Sequence, residues 1–434
     1  MDIKILKAKE NIHKEIKGLP GDKSIAHRSL IIGCIPKGTY NIYNFPKGDD
    51  CIVTLNNMEK LGVKVSYEDE YNLKVISPGI EGFKKDAGIL NCDNSGTTVR
   101  LLLGLLCAAN IRAILIGDES LSKRPMERIL EPLQLMGGTF QCSDGKLPIN
   151  TTKLSNLESI EYSMTVSSAQ VKSALLIAAI VAKRNIVVKE TLSTRDHTEI
   201  MMKYLGADIK CEEKSITLEK SNLCSKDMFI PGDISSAAFI IGLCLLSKES
   251  SITLKDVLLN PSRRKFIDIL KAMGADINIY ITETRSGELV GDIKAKSSNL
   301  KGIEIESEST PSIIDEIPLL SVLAAFSEGT TIIKSVDELK VKESNRVDGI
   351  INNLKRCGIQ AHYDNGDLFI KGGNSYINKN ISIESQKDHR IAMAFAVLSI
   401  RNLKNTNINH WEYTNISFPN SIKFFSEFLN MVES

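Results

Sequence analysis

The chain has 434 residues, of which 42% are hydrophobic and 25% charged, with a formal net charge of +1. That length is about three times a typical domain and predicts at least two of them. The near-neutral balance argues against a large undirected basic surface for nucleic acid, while leaving room for a small basic cleft. The start, MDIKILKAKE, alternates and is charged, so it reads as a strand and lacks the apolar core of a signal peptide. The stretch LLLGLLCAANI, residues 101–111, is too short to cross a bilayer, which needs about twenty residues. The nine cysteines show no C-x-x-C spacing, and several, such as Cys107 and Cys244, lie in apolar runs. This usage predicts reduced thiols in a cytoplasmic protein.

Along the chain one order of elements recurs six times. Apolar helix-like runs start near Ala26 (AHRSLIIGCI), Thr97 (TTVRLLLGLLCAA), Ala169 (AQVKSALLIAAIVA), Ser235 (SSAAFIIGLCLL), Ile317 (IPLLSVLAAF) and His389 (HRIAMAFAVLSI). Alanine and leucine favour helix, and runs apolar on nearly every side belong inside a core. A short β-like piece follows each, for example TYNIYNF or NIVVKE. A more polar helix comes next. In five copies it ends on a glycine suited to a left-handed C-cap: Gly62, Gly137, Gly206, Gly274 and Gly358. The sixth copy runs out at the C-terminus, in IKFFSEFLNMVES, where no following strand is expected. Corresponding positions (Arg28, Arg100, Val171, Ala237, Leu319, Arg390) lie 66 to 82 residues apart. Each unit reads as β-α-β-α-β-β, longer than a solenoid repeat. A single dinucleotide-binding domain is disfavoured, because G-x-G-x-x-G is missing.

The boundary between domains is expected where Pro-Gly-Asp occurs twice, in GLPGDKS (18–24) and IPGDISSAAF (230–239). Residues 20–232 would form one domain, and 1–19 with 233–434 the other. Two crossings of this kind would make a hinge around a central cleft.

Charged and hydroxyl residues fall where the buried helices begin. In PGDKSIAHRSLI, Lys23 and Ser24 stand at a helix start and Arg28 lies one turn on, a good arrangement for phosphate. Asn94, Ser95, Gly96 and Thr97 precede the second buried helix. Lys123 and Arg124 follow in SKRPMERI, where a structural Arg124–Glu127 pair is a rival reading. Ser167, Ser168, Gln170 and Lys172 cluster at the third helix, with Arg195 and Asp196 after it. The fourth start offers only Ser235 and Ser236. Asp315 opens the fifth helix, and His389 and Arg390 open the sixth. The run VKESNR puts Lys342, Glu343 and Arg346 within six positions. It reads either as a solvated first turn or as an anion site beside a proton donor. Recurrence of these starts favours a cleft for anionic substrates. The six histidines have no metal-ligand spacing, and no G-x-S-x-G elbow is present.

PGDKSIAHRSL, NSGTTVRLLLGLL, LSKRPMERILEPLQLMGG, SSAQVKSALLIA, IIDEIPLLSVLAAFSEGTT, ELKVKESNRV and QKDHRIAMAFAV together resemble the 5-enolpyruvylshikimate-3-phosphate synthase family, in family order from Pro20 to Val397. The resemblance implies a two-domain inside-out α/β barrel, each domain three β-α-β-α-β-β units with buried helices. It implies transfer of the enolpyruvyl group of phosphoenolpyruvate to the 5-hydroxyl of shikimate 3-phosphate, with release of phosphate, in aromatic amino acid biosynthesis. No metal or organic cofactor, nucleic acid or membrane is implied, and a monomer is expected.

By the same resemblance, Lys23, Ser24, Arg28, Ser167, Ser168, Gln170, Arg195, Asp315 and Lys342 bind shikimate 3-phosphate. Lys23, Asn94, Gly96, Thr97, Arg124, Gln170, Arg346 and Arg390 bind phosphoenolpyruvate. Asp315, Lys342, Glu343 and Lys23 are the implied catalytic groups. Three departures stand out. Ala169 occupies a position that is serine in much of the family, with Ser167 nearby to compensate. Asn345 replaces an aspartate, and TNISFP lacks a lysine that some members carry. A related transferase acting on UDP-N-acetylglucosamine is disfavoured, because the loop with Asp118, Glu119, Ser120 and Leu121 holds no cysteine. An RNA 3′-phosphate cyclase-like protein would need a nucleotide-binding feature that is not found.

Overall fold

A computed structural model of the chain describes residues 1–151 and 155–434. These divide into two compact units. One comprises Gly21–Pro231 with Thr284–Glu288; the other comprises Met1–Pro20, Gly232–Glu283 and Leu289–Ser434. The grouping of Thr284–Glu288, the tip of a long hairpin, with the first of these is absent from the sequence reading.

In the Gly21–Pro231 unit the helices are α1 (Lys23–Ile31), α2 (Asp49–Lys60), α3 (Gly96–Ala108), α4 (Glu119–Lys123), α5 (Glu127–Leu135), α6 (Ala169–Ala182) and α7 (His197–Tyr204). The other unit holds α8 (Ile234–Leu246), α9 (Lys265–Ala272), α10 (Thr310–Ile313), α11 (Ile317–Ala325), α12 (Arg346–Arg356), α13 (His389–Leu398) and α14 (Ser421–Phe425). The apolar helices lie inside. In one unit α3 packs on α1 and α6; in the other, α8, α11 and α13 pack on each other. Every residue of α8 is buried, as a surface apolar on nearly every side demands. Close packing needs small residues at contacts. A methyl on Gly104 of α3 would come within 2.3 Å of the Ala174 carbonyl oxygen on α6, so Gly104→Ala would force these helices apart.

Among the described residues there are six four-stranded sheets. The third repeat shows the common pattern. Ile160–Ser163 pairs in parallel with Ile186–Lys189, which pairs antiparallel with Ser215–Leu218, and that with Ile209–Glu212. The parallel pair is joined through a buried helix and the antiparallel pair by a tight turn, as each connection requires. All five expected C-cap glycines have φ between +83° and +104°, the left-handed conformation that glycine adopts without strain.

Three sheets borrow a strand from elsewhere in the chain. Met228–Phe229 pairs with Gly38–Tyr43, and His13–Ile16 with Ser251–Leu258. The third case corrects the expectation for the last repeat. A strand does follow α14, Leu429–Glu433, and the N-terminal strand Ile3–Ala8 pairs with it and with Thr406–Ile408. The first strand of the chain thus completes the last repeat. Both Pro-Gly-Asp aspartates are helix N-caps: Asp22 accepts from Ile25 N–H at 3.0 Å, and Asp233 from Ser235 and Ser236 N–H. A cap of this kind is worth ~1 kcal/mol.

Candidate active site

Capping decides which side chains stand at the helix starts. With Asp22 outside α1, Lys23 and Ser24 become its first residues. Lys23 Nζ lies 2.8 Å from Asp50 Oδ2 in the first turn of α2. Arg28, one turn further, is buried. Its Nε donates to Thr198 Oγ1 at 2.7 Å, Nη2 to Ser173 Oγ at 2.8 Å, and Nη1 to the Ser24 carbonyl at 2.8 Å. Burial lowers this guanidinium to about 10, against the opposing pull of Glu199 and Asp22. Two of its five N–H groups therefore tie α1 to α6 and α7 within the unit, and a third closes back on α1 at Ser24.

At α3, Ser95 caps the helix by accepting from Thr98 N–H, which leaves Gly96 and Thr97 to open it. A chain of polar contacts links this start to α6. Arg100 Nη1 donates to Gln170 Oε1 at 2.5 Å, and Gln170 Nε2 donates to Thr97 Oγ1 at 3.0 Å. Arg124 Nη2 donates to Asn94 Oδ1 at 3.0 Å, and Asn94 donates to Asp118 Oδ2 at 2.6 Å. A Cβ on Gly96 would lie 3.1 Å from Arg100 Nη1 and 3.4 Å from Arg124 Nη1. Asn94, Gly96, Thr97 and Gln170 thus gather around two arginines, Arg124 and Arg100, of which Arg100 was not among the expected site residues. Its place four residues after Gly96, on the same helical face, is the signal that could have found it.

At α6, Ser168 is the N-cap residue and its side chain makes no capping bond. Ser167 Oγ accepts from Leu192 N–H at 3.1 Å and contacts Thr191 Oγ1 at 2.8 Å. It fastens the 191–192 turn. Lys172 does not join the anion-binding set. Its Nζ lies 2.6 Å from Glu199 Oε1 and 3.1 Å from Glu190 Oε2, all three side chains at most 3% exposed. Lysine buried to this degree requires carboxylate partners, here supplied from 18 and 27 residues away. Arg195 is partly exposed and its charge bears on that of Arg28.

In the other unit, Asn345 accepts from Asp348 N–H and caps α12, so the departure from aspartate still serves as an N-cap. Arg346 is the first helical residue and is 1% exposed. Its Nε donates to Asp388 Oδ2 at 2.8 Å, its Nη2 to Glu343 Oε2 at 2.6 Å, and its Nη1 lies 3.7 Å from Asp315 Oδ1. Asp388 caps α13, accepting from Arg390 N–H at 2.9 Å, and also accepts from Ser344 Oγ at 3.0 Å. Arg390 Nη1 donates to the Asp315 carbonyl at 3.1 Å and lies 3.7 Å from Glu316 Oε1. Asp315, Lys342, Glu343, Arg346 and Arg390 belong to one cluster. Burial lowers the Lys342 ammonium below its ordinary value, although Asp315, Glu338 and Glu343 pull the other way. Asp388 was overlooked; an aspartate directly before a helix start was its only signal. Among the described residues no group of His, Cys, Asp or Glu is arranged to hold a metal ion, and no helix is long and apolar enough to cross a membrane.

Helix starts bearing arginine and lysine in one unit, and carboxylates, lysine and arginine in the other, on repeats with buried helices, define an enolpyruvyl-transferase class of fold. The solved enolpyruvyl transferase NikO of Streptomyces tendae aligns over 100% of this chain and 98% of its own, with TM-score 0.78 at 15% identity, a likeness of fold. A solved EPSP synthase of Acinetobacter baumannii aligns over 100% of both chains, with TM-score 0.88 and 36% identity. Residues 6–425 match the family model of EPSP synthase (3-phosphoshikimate 1-carboxyvinyltransferase). The 3-phosphoshikimate 1-carboxyvinyltransferase of Clostridium tetani is 47% identical over 96% of this chain and 95% of that protein; that of Petrotoga mobilis is 42% identical over 96% and 97%. The chain belongs to the EPSP synthase family.

Proposed function

We propose that the two helix-start clusters, one in each unit, serve a single reaction: addition of the 5-hydroxyl of shikimate 3-phosphate to carbon 2 of phosphoenolpyruvate, then loss of phosphate. As a member of its family, the chain is a 3-phosphoshikimate 1-carboxyvinyltransferase of the shikimate pathway. Both substrates are multiply anionic and repel one another in water. Fixed cations offset that repulsion and set the mutual orientation.

Lys23, Ser24, Arg28, Ser168 and Arg195 take the acceptor, with Ser167 holding the adjoining turn. Lys23, Asn94, Gly96, Thr97, Arg124, Gln170, Arg346 and Arg390 take phosphoenolpyruvate, with Lys23 reaching both substrates. Glu343 gives a proton to carbon 3, which makes carbon 2 electrophilic. Asp315 receives the hydroxyl proton as the new C–O bond forms. In the second stage a methyl proton returns to the protein, the bond to phosphate breaks, and the enol is restored. Lys342 stabilises the charge that moves during both stages.

One observation carries this reading. Asp315 and Glu343 lie on two neighbouring nitrogens of the same guanidinium, Arg346, at 3.7 and 2.6 Å. Two proton-transfer groups are thereby held beside one anion-binding cation. The acting species is a cytoplasmic monomer working on small anions and not on nucleic acid. The test is phosphate release from phosphoenolpyruvate with shikimate 3-phosphate or UDP-N-acetylglucosamine as acceptor. Release with the second acceptor alone would overturn the assignment.

A further inference from the structure

Lys172 has no role in binding or chemistry in the reading above, yet it is among the largest fully buried side chains of the protein. Its two partners bracket the segment that carries Arg195. Glu190 Oε1 accepts from Thr194 N–H at 3.2 Å and from Thr194 Oγ1 at 2.5 Å, so it fixes the residue directly before Arg195. Glu199 lies in the first turn of α7, directly after the segment. Lys172 itself stands in the first turn of α6, two residues after Gln170 and four after Ser168.

We propose that Lys172 is a positioning residue for the acceptor site, acting through Arg195: its ammonium, gripped by Glu190 and Glu199, sets where the 190–199 segment holds Arg195 relative to Ser168 and Gln170. A buried ion triad suits this task. Such groups gain little stability over a well-packed apolar core, but a charge with directional hydrogen bonds permits few alternative arrangements. Arg28 clamps the same two helices through Ser173 and Thr198. Lys172 adds the loop between them. The inference rests on the assignment of Arg195 to the acceptor.

The experiment is a double-mutant cycle on the full chain with Lys172→Met and Arg195→Ala, reading KM for each substrate and kcat. Lys172→Met is expected to raise KM for shikimate 3-phosphate about tenfold, with KM for phosphoenolpyruvate and kcat within about twofold. In the Arg195→Ala background the same change is expected to add less than about twofold, because the residue it positions is gone. An equal factor in both backgrounds, or equal losses for both substrates, would overturn the proposal. If Arg195→Ala leaves acceptor KM unchanged, the acceptor assignment itself fails. If Arg195→Ala raises it and Lys172→Met does not, only the positioning role fails.

Removing the ammonium leaves two buried carboxylates, so Lys172→Met alone is at risk of not folding. The variant Lys172→Met/Glu190→Gln/Glu199→Gln removes the charges together. An acceptor KM that stays about tenfold raised in this folded variant supports positioning. A return to the original KM shows that Lys172 only neutralises its neighbours, and overturns the proposal.

Discussion

Asp388 and Arg346 form an ion pair in which neither side chain is more than 1% exposed, with Nε 2.8 Å from Oδ2. The same carboxylate caps α13 at Arg390 and accepts from Ser344. One buried aspartate therefore sets the position of both arginines assigned to phosphoenolpyruvate in this unit, and of the segment that carries Glu343. Removing one member of a buried pair leaves the other charge without compensation, which costs about 3–5 kcal/mol. Asp388→Ala is expected to lower the stability of the protein by that amount, read as a reduced urea midpoint.

Asp388 also fixes a pH dependence. Burial works to raise its carboxyl, but Arg346 and His389 outweigh burial and hold it below the ordinary value of 3.8. A carboxylate lowered by folding contributes stability that is present above about pH 4 and is lost as pH falls through the folded value. The urea midpoint of the unmodified protein should fall between pH 5 and pH 3. In Asp388→Asn that fall should be shallower, because the variant has no proton to take up at this site. Parallel pH curves for the two proteins would exclude Asp388 as a source of acid sensitivity.

The buried helices, their glycine stops and the order of elements were legible because each depends on local pattern. AHRSLIIGCI or SSAAFIIGLCLL can satisfy its apolar faces only inside a core, and a glycine such as Gly274 ends the next helix wherever the chain goes afterwards. The return of Ile3–Ala8 to complete the last sheet was not legible, because it is a pairing between the two ends of the chain. The same limit applied to the site. Lys172 shares a helix start with Ser168 and Gln170 and looked like one more cation for an anion. Its direction is decided by Glu190 and Glu199, whose approach only folding reveals. Arg28 was legible as a cation one turn beyond Ser24 on an apolar helix, but its burial and its bonds to Ser173 and Thr198 were not.

Gly96 sits where the two arginines of the α3 start come together. Both atoms nearest a new Cβ are the far ends of flexible side chains, at 3.1 and 3.4 Å. Gly96→Ala should therefore fold normally, with both guanidinium groups displaced by a few tenths of an ångström. A charged hydrogen bond is worth about 1.5–3 kcal/mol, and partial loss of one predicts a rise of roughly tenfold in KM for phosphoenolpyruvate. KM for shikimate 3-phosphate should change far less. Steady-state kinetics with each substrate varied in turn would check the difference.

Lys342 offers a second pH test, at the alkaline end. Burial lowers its ammonium from the ordinary 10.5, and Asp315, Glu338 and Glu343 only partly restore it. As pH rises through that lowered value, Lys342 loses the charge that the proposed function assigns to the reacting centre. The value of kcat/KM should then fall along an alkaline limb that begins below the ordinary lysine range. Lys342→Arg keeps a charge that does not titrate there, so its activity, though reduced by the changed shape, should lack that limb. A limb at the same pH in Lys342→Arg would assign it to another group.

Glu343 decides between binding and chemistry. In the free protein its Oε2 accepts from Arg346 Nη2 at 2.6 Å. On the proposed assignment, once the carboxylate or phosphate of phosphoenolpyruvate takes that guanidinium, the Glu343 carboxylate loses its cation, takes up a proton from solvent more readily and can pass it to carbon 3. In that proposal the substrate prepares its own acid. Glu343→Gln keeps the size and one accepting oxygen but cannot transfer a proton. Turnover should fall by about a hundredfold or more, the scale of general acid–base catalysis, while the dissociation constant for phosphoenolpyruvate stays within about threefold. Exchange of deuterium from heavy water into the methylene of phosphoenolpyruvate, followed by NMR in the presence of shikimate 3-phosphate, isolates the step. The unmodified protein should exchange during turnover, and Glu343→Gln should show almost none. Near-normal exchange in that variant would leave Glu343 as a partner of Arg346 and pass the proton to Lys342 or Asp315, each within the same cluster.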